Sequence, residues 1–136
     1  MAQLNEAQKA ELRALAAHYE LKGHHFHSDR RGFVIITRAG IEQIAAKAGI
    51  RVKFSEVHEW SDAKENRYVV KAEAWMSEGE TGSYVMSYGE VTSKNNSNAY
   101  PVAMAEKRAL SRAVLKLAGM YRINVYGEDE IQNESK

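Results

Sequence analysis

Apolar residues change their spacing along the chain, and each change of period marks an element. Leu12, Leu15, Ala16 and Tyr19 recur at helical spacing, and Asn5 followed three residues later by Gln8 has the form of an N-cap with a capping box. A helix is predicted from about 5 to 21, ended near Gly23. The polar stretch "GHHFHSDRRG" (23–32) reads as a loop. "FVII" (33–36) is short, apolar and β-branched, which predicts a strand, and Ile41, Ile44, Ala45 and Ala48 give a short amphipathic helix stopped by Gly49.

The period then becomes two. Ile50, Val52 and Phe54 alternate with Arg51, Lys53 and Ser55, and "SDAKEN" (61–66) interrupts as a hairpin loop does. In "RYVVKAEAWM" (67–76), Tyr68, Val70, Ala72, Ala74 and Met76 share one face while Lys71 and Glu73 fall on the other. After the turn "EGETG", Tyr84, Met86 and Tyr88 alternate through "SYVMSYGEV" (83–91). Three such runs joined by short polar turns make an antiparallel meander. Past the polar loop "TSKNNSNAY" (92–100), Pro101 suits the first turn of a long helix and Gly119 its end. The expectation is an α+β fold: a β-meander of three long strands plus a short one, packed on a long C-terminal helix, with an N-terminal helix and a short helix.

With 136 residues, 44% of them hydrophobic, the chain can bury one core. One domain over 1–127 and an acidic tail over 128–136 are expected. No apolar run approaches the ~18 residues of a membrane span, and the N-terminus lacks the form of a secretory signal. A soluble, cytoplasmic protein is expected. The absence of cysteine removes disulfides, thiolate metal sites and cysteine nucleophiles. Net charge is +1, but the tail sets Glu128, Asp129, Glu130 and Glu134 against Lys136, so its −3 leaves +4 on the body. A basic body with an acidic tail hints at a polyanionic partner.

The charge is most concentrated in the last helix. Leu110, Val114 and Leu117 cluster on one side of a helical projection, and Arg108, Arg112 and Lys116 form a stripe nearly opposite, with Lys107 beside the apolar face. The plain reading is a solvated helix face. Solvated faces usually lace both signs at i,i+4, however, whereas these like charges repel by roughly 0.2–0.5 kcal/mol per pair. An anionic partner offsets that cost. Steps of about 6 Å along the axis, from four residues at ~1.5 Å rise, suit a phosphate backbone.

"GFVIITRAGIEQIAAKAGI", "RYVVKAEAWMSEGETGSYVMSYGEVTSKN" and "EKRALSRAVLKLAG" resemble, in order and spacing, the DNA-binding domain of the Rad fifty-two type single-strand annealing proteins, including their short phage relatives. The resemblance covers about residues 30–127. It implies a β-meander on a long helix, assembly into a homo-oligomeric ring or filament, and single-stranded DNA held in a basic groove. It also implies ATP-independent annealing of complementary strands in recombination and repair, with no cofactor and no enzymatic activity. By position, Arg112 and Lys116 match the family's phosphate contacts best, with Arg108 and Lys107 nearby. An arginine between first strand and short helix corresponds to Arg38, and loop cations suggest Lys94. Glu78 and Glu80 stand where family members often carry a basic residue, which puts a second, outer DNA site in doubt. The recombinase-recruiting region of eukaryotic members has no counterpart, so a minimal, phage-like annealing module in a bacterial host cytoplasm is expected.

Single-strand binders also stack bases on aromatic rings. Tyr68, Trp75, Tyr84, Tyr88 and Tyr100 are candidates, although an aromatic on a strand is more often core. Tyr100, at the junction of loop and helix, is the least ordinary of them. The rival chemistry is thinner. His24, His25 and His27, with His18 and His58 elsewhere, recommend a metal site only if three or four ligands converge, Asp29 among them; on an extended chain only His25 and His27 share a face. Nucleotide-binding and serine-hydrolase motifs are missing. Glu56, Glu59 and Glu73 could hold Mg²⁺ for a nuclease if the fold brought them together. Two alternatives therefore stand beside the lead: a scaffolding oligomer whose basic stripe meets another copy's acidic tail, and a metal-dependent nuclease.

Overall fold

A computed structural model of the chain describes residues 3–28, 32–61, 66–76, 83–92 and 101–128. The α+β expectation holds. Helix α1 is Glu6–Tyr19, strands β1 and β2 are Phe26–Ser28 and Val34–Ile36, and helix α2 is Arg38–Ala48. The meander follows as β3 (Ile50–Ser61), β4 (Asn66–Met76) and β5 (Ser83–Thr92), then helix α3 (Pro101–Leu117) and the short strand β6 (Tyr126–Gly127). Among the described residues no helix is long and apolar enough to cross a membrane.

The capping box forms as the sequence predicts. Gln8 N–H donates to Asn5 Oδ1 at 2.8 Å and Asn5 N–H donates to Gln8 Oε1 at 2.9 Å, an arrangement worth about 1 kcal/mol. The helix ends earlier than Gly23, at Glu20, which takes the left-handed conformation (φ 58°) while its side chain pairs with Lys47 of α2. Gly23 instead opens a 3₁₀ turn through His25, and Phe26–Ser28 pair antiparallel with β2. The expected loop over 23–32 therefore contains a turn and a strand. Its partner is the next strand, Ser28 standing opposite Val34, and three residues of a polar stretch are too few to show a period of their own. Gly49 caps α2 at φ 67° as expected, and Thr37 caps its start, its hydroxyl accepting from Gly40 N–H at 3.2 Å.

Two sheets result. One has the order β1-β2-β6, with β6 parallel to β2; the other is the antiparallel meander β3-β4-β5. Helix α3 lies between the meander and the rest of the protein and is buried on two nearly opposite faces. Ala105, Ala109 and Ala113 pack on Val70, Ala72, Ala74 and Val91 of the meander. Val114, Leu115 and Ala118 join Ile36, Ile41, Ile44, Met120, Ile123 and Val125 in a second, aliphatic core beneath α1 and α2. The segment after Gly119 is thus core. Gly119 itself turns the chain at φ 80°.

The alanine line needs an equally small sheet. On β5 the inward row is Val85, Ser87, Gly89 and Val91, not Tyr84, Met86 and Tyr88. At Gly89 an added Cβ would stand 2.1 Å from Ala105 O and 2.4 Å from Ala109 N. Only glycine lets the helix backbone come this close.

Candidate nucleic-acid interface

The two buried faces of α3 leave its flanks to carry charge. One flank holds Arg108 and Arg112, both half-buried, and runs along β5, an edge strand of the meander. Arg108 Nη1 donates to Glu90 O at 2.8 Å and Arg112 Nη1 donates to Tyr88 O at 2.6 Å. The basic stripe is therefore not opposite the core. It lies beside it, because the sheet-facing line is alanine and not the leucines; Leu110 and Leu117 are only half-buried. Lys107 and Lys116 are exposed. Bonds to these carbonyls fix the direction of the guanidinium groups. A planar fork suits this arrangement better than an ammonium would.

Arg38 is the first residue of α2. Its backbone N–H donates to Glu128 Oε1 at 2.6 Å, and its Nε lies 3.4 Å from Glu42 Oε2. A carboxylate at a helix N-terminus meets the positive end of the helix dipole. Glu128, expected to open a separate tail, thus belongs to the folded body. Gly127 before it fits between Ile41 of α2 and Ser111 and Leu115 of α3. Arg38 stands one turn before Ile41 and Arg108 one turn before Ser111, so both border the α2–α3 seam. Lys94 and Tyr100 lie outside the described residues, as do Glu78, Glu80, Asp29 and the tail from 129 onward.

A second charged surface escaped the sequence reading. On the meander face turned away from α3, the register lines up Arg51, Trp75 and Tyr84; then Lys53, Glu73 and Met86; then Ser55, Lys71 and Tyr88. Trp75, Tyr84, Met86 and Tyr88 are each 42–48% exposed. Tyr84 donates its hydroxyl to Glu73 Oε2 at 2.8 Å, and this bond, with partial burial and the Glu73 charge, raises the phenol pKa above its ordinary value. Of the ring candidates, Tyr68 packs half-buried against the alanine core, whereas Trp75, Tyr84 and Tyr88 stand outside. The signal was present: Trp75 shares its parity with Lys71 and Glu73, already assigned to the polar row.

The histidines do not form one face. His25 is buried, and its Nδ1 accepts from Lys22 N–H at 2.9 Å. Burial, followed by the charges of His24 and Lys22, lowers its pKa below the ordinary imidazole value. His24 and His27 are exposed, so the pairing expected for His25 with His27 fails because His25 sits in a 3₁₀ turn and not on extended chain. Among the described residues no three His, Cys, Asp or Glu side chains converge as a metal site. The register sets Glu56 opposite Val70 and Glu59 opposite Tyr68, with Glu73 on the alternate row opposite Lys53.

No protein-family description matches the chain, and no curated protein matches it.

Proposed function

We propose that the chain binds single-stranded DNA along the α3 flank and the β5 edge, and that as a homo-oligomer it promotes annealing of complementary strands without nucleotide hydrolysis. The observation that carries this reading is the seating of Arg108 and Arg112 on the carbonyls of Glu90 and Tyr88. Two guanidinium groups are held in place before any ligand arrives, so less side-chain entropy is lost when a phosphate binds. Lys116, one turn beyond Arg112, extends the row along the helix with exposed charge. Phosphate contacts of this kind are indifferent to sequence and leave base edges free, which pairing with a second strand requires. The order of elements and the basic helix after the meander are also those implied by the resemblance to the Rad fifty-two type annealing proteins.

The test is the double substitution Arg112→Ala with Lys116→Ala. Affinity should fall alike for all oligonucleotide sequences, and the log–log salt slope should flatten by about 1.4, at roughly 0.7 per phosphate contact on a single strand. The fold should survive, because Lys116 is exposed and Arg112 lies on a flank. A folded double variant that binds and anneals like the parent refutes the assignment.

A further inference from the structure

We propose that the outer face of the meander is a nucleobase-stacking platform, with Trp75 and Tyr84 receiving unpaired bases and Arg51 and Lys53 holding the phosphates between them. This deepens the single-strand reading and rests on it. The basic α3 flank explains grip on a backbone, but it gives no reason for rings to stand in water on the other side of the sheet.

Trp75 and Tyr84 are cross-strand neighbours, with centroids 5.4 Å apart and planes tilted by 47°. They do not stack face to face, so each ring keeps a face to offer. The Glu73 carboxylate holds the Tyr84 hydroxyl and so fixes that ring's direction. Beside the pair lies an open cleft of about 630 Å³ bordered by Gly49, Arg51, Lys53, Trp75, Met76 and Tyr84, within the usual range for small-molecule sites. Each ring-bearing row also carries a cation on a neighbouring strand: Arg51 beside Trp75, and Lys71 beside Tyr88.

The charge pattern selects the occupant. Within the three rows Arg51, Lys53 and Lys71 face one carboxylate, Glu73, which is already engaged by Tyr84 and lies 4.0 Å from Lys71. A second copy of this face would bring like charges together, which is costly at an interface. A single strand supplies what the surface lacks, negative charge alternating with flat π faces. Arginine beside a ring also serves cation–π contact with a stacked base. Tyr88 borders both this face and the arginine flank, since its carbonyl holds Arg112 while its ring stands outside. A strand gripped at the β5 edge can therefore turn its bases onto the sheet.

The experiment uses the full chain with Trp60→Phe, which leaves Trp75 as the sole tryptophan of the two in the sequence. Its fluorescence is followed while oligothymidylate, or an abasic oligomer of equal length, is added at low salt. Thymidylate should quench Trp75 and the abasic strand should bind without quenching. Trp75→Ala should weaken thymidylate binding about ten-fold, from the loss of one stacked base, and leave abasic affinity within about two-fold. Trp75→Phe should restore most of the loss. Binding of both strands with no quenching and no effect of Trp75→Ala overturns the platform while leaving the backbone-gripping function intact. Failure to bind either strand overturns both. Shielding of Trp75 from a soluble quencher that grows with protein concentration, without oligonucleotide, makes this face a contact between copies and also overturns the proposal.

Discussion

Against α3 the meander presents Val70, Ala72 and Ala74 on β4 and Val85, Ser87, Gly89 and Val91 on β5, while one residue away along the same strands stand Lys71, Glu73 and Trp75, then Tyr84, Met86 and Tyr88. Along these stretches the buried residues are small and the rings of Trp75, Tyr84 and Tyr88 are outside, the reverse of what hydrophobic size alone suggests, while Phe54 and Tyr68 pack half-buried against the same core. The helix decides it. Its sheet-facing line is Ala105, Ala109 and Ala113, so α3 lies close to the strands and at Gly89 leaves no room for even a methyl group. Closeness also brings Arg108 and Arg112 within reach of β5 carbonyls. Packing and charge placement are thus one arrangement, and substituting neighbours of opposite parity separates them.

Gly89→Ala should have the largest effect. Its methyl would meet helix backbone, which cannot step aside as a side chain can, and about 3 kcal/mol of stability should be lost, the upper part of the usual range for overpacking. Denaturant melts should show a lower midpoint at an unchanged slope. The adjacent Tyr88→Ala, on the exposed face, should cost about 1 kcal/mol or less. Equal losses at 88 and 89 would break the contrast between the faces.

Arg112 sits where the two faces meet. Arg112→Lys keeps the charge but replaces a planar fork with a point charge, so the bond to the Tyr88 carbonyl is poorly reproduced. About 0.5–1.5 kcal/mol of stability should go with that bond. Oligonucleotide affinity should fall between those of the parent and Arg112→Ala. Lysine and arginine binding equally well would mean that charge alone acts there and that the pre-set plane does not matter.

Much of this fold was legible locally. The capping box at Asn5 and Gln8, the left-handed Gly49, the alternation of β4 and the stop at Gly119 depend on neighbours a few residues away, and each formed as the sequence predicts. The parts that escaped depend on pairing between strands, near in one case and distant in the other. Phe26–Ser28 is a strand because β2 pairs with it, and Tyr126–Gly127 because β2 accepts a second neighbour on its other side. Which alternating row of β5 turns inward was not a question of β5 alone. Tyr84, Met86 and Tyr88 are the more hydrophobic row, and they lose the interior because α3 brings alanines to it. The leucines of α3 misled in the same way, since a helix buried on two faces has no single apolar side for a projection to find. The site was therefore half readable: the cations of α3 were found, their seating on the sheet edge was not, and the outer rings were named without their face.

The smallest expected effect concerns a single proton on the outer face. The Tyr84 hydroxyl donates to Glu73, and phenolate formation there would lose that bond and set two negative charges side by side, so the pKa stands above its ordinary value. A raised pKa in the folded state means that the contribution to stability is fully present below the unfolded-state value and is lost as pH rises through the folded one. Because the group is exposed, neutral-pH stability should barely change in Glu73→Gln, while the Tyr84 titration should move down toward that of a free tyrosine. NMR of ring-labelled tyrosine, followed through alkaline pH, separates Tyr84 from the other tyrosines. A Tyr84 that titrates identically in parent and Glu73→Gln would mean the ring is not held by that carboxylate, and the fixed orientation on which the stacking platform depends would go with it.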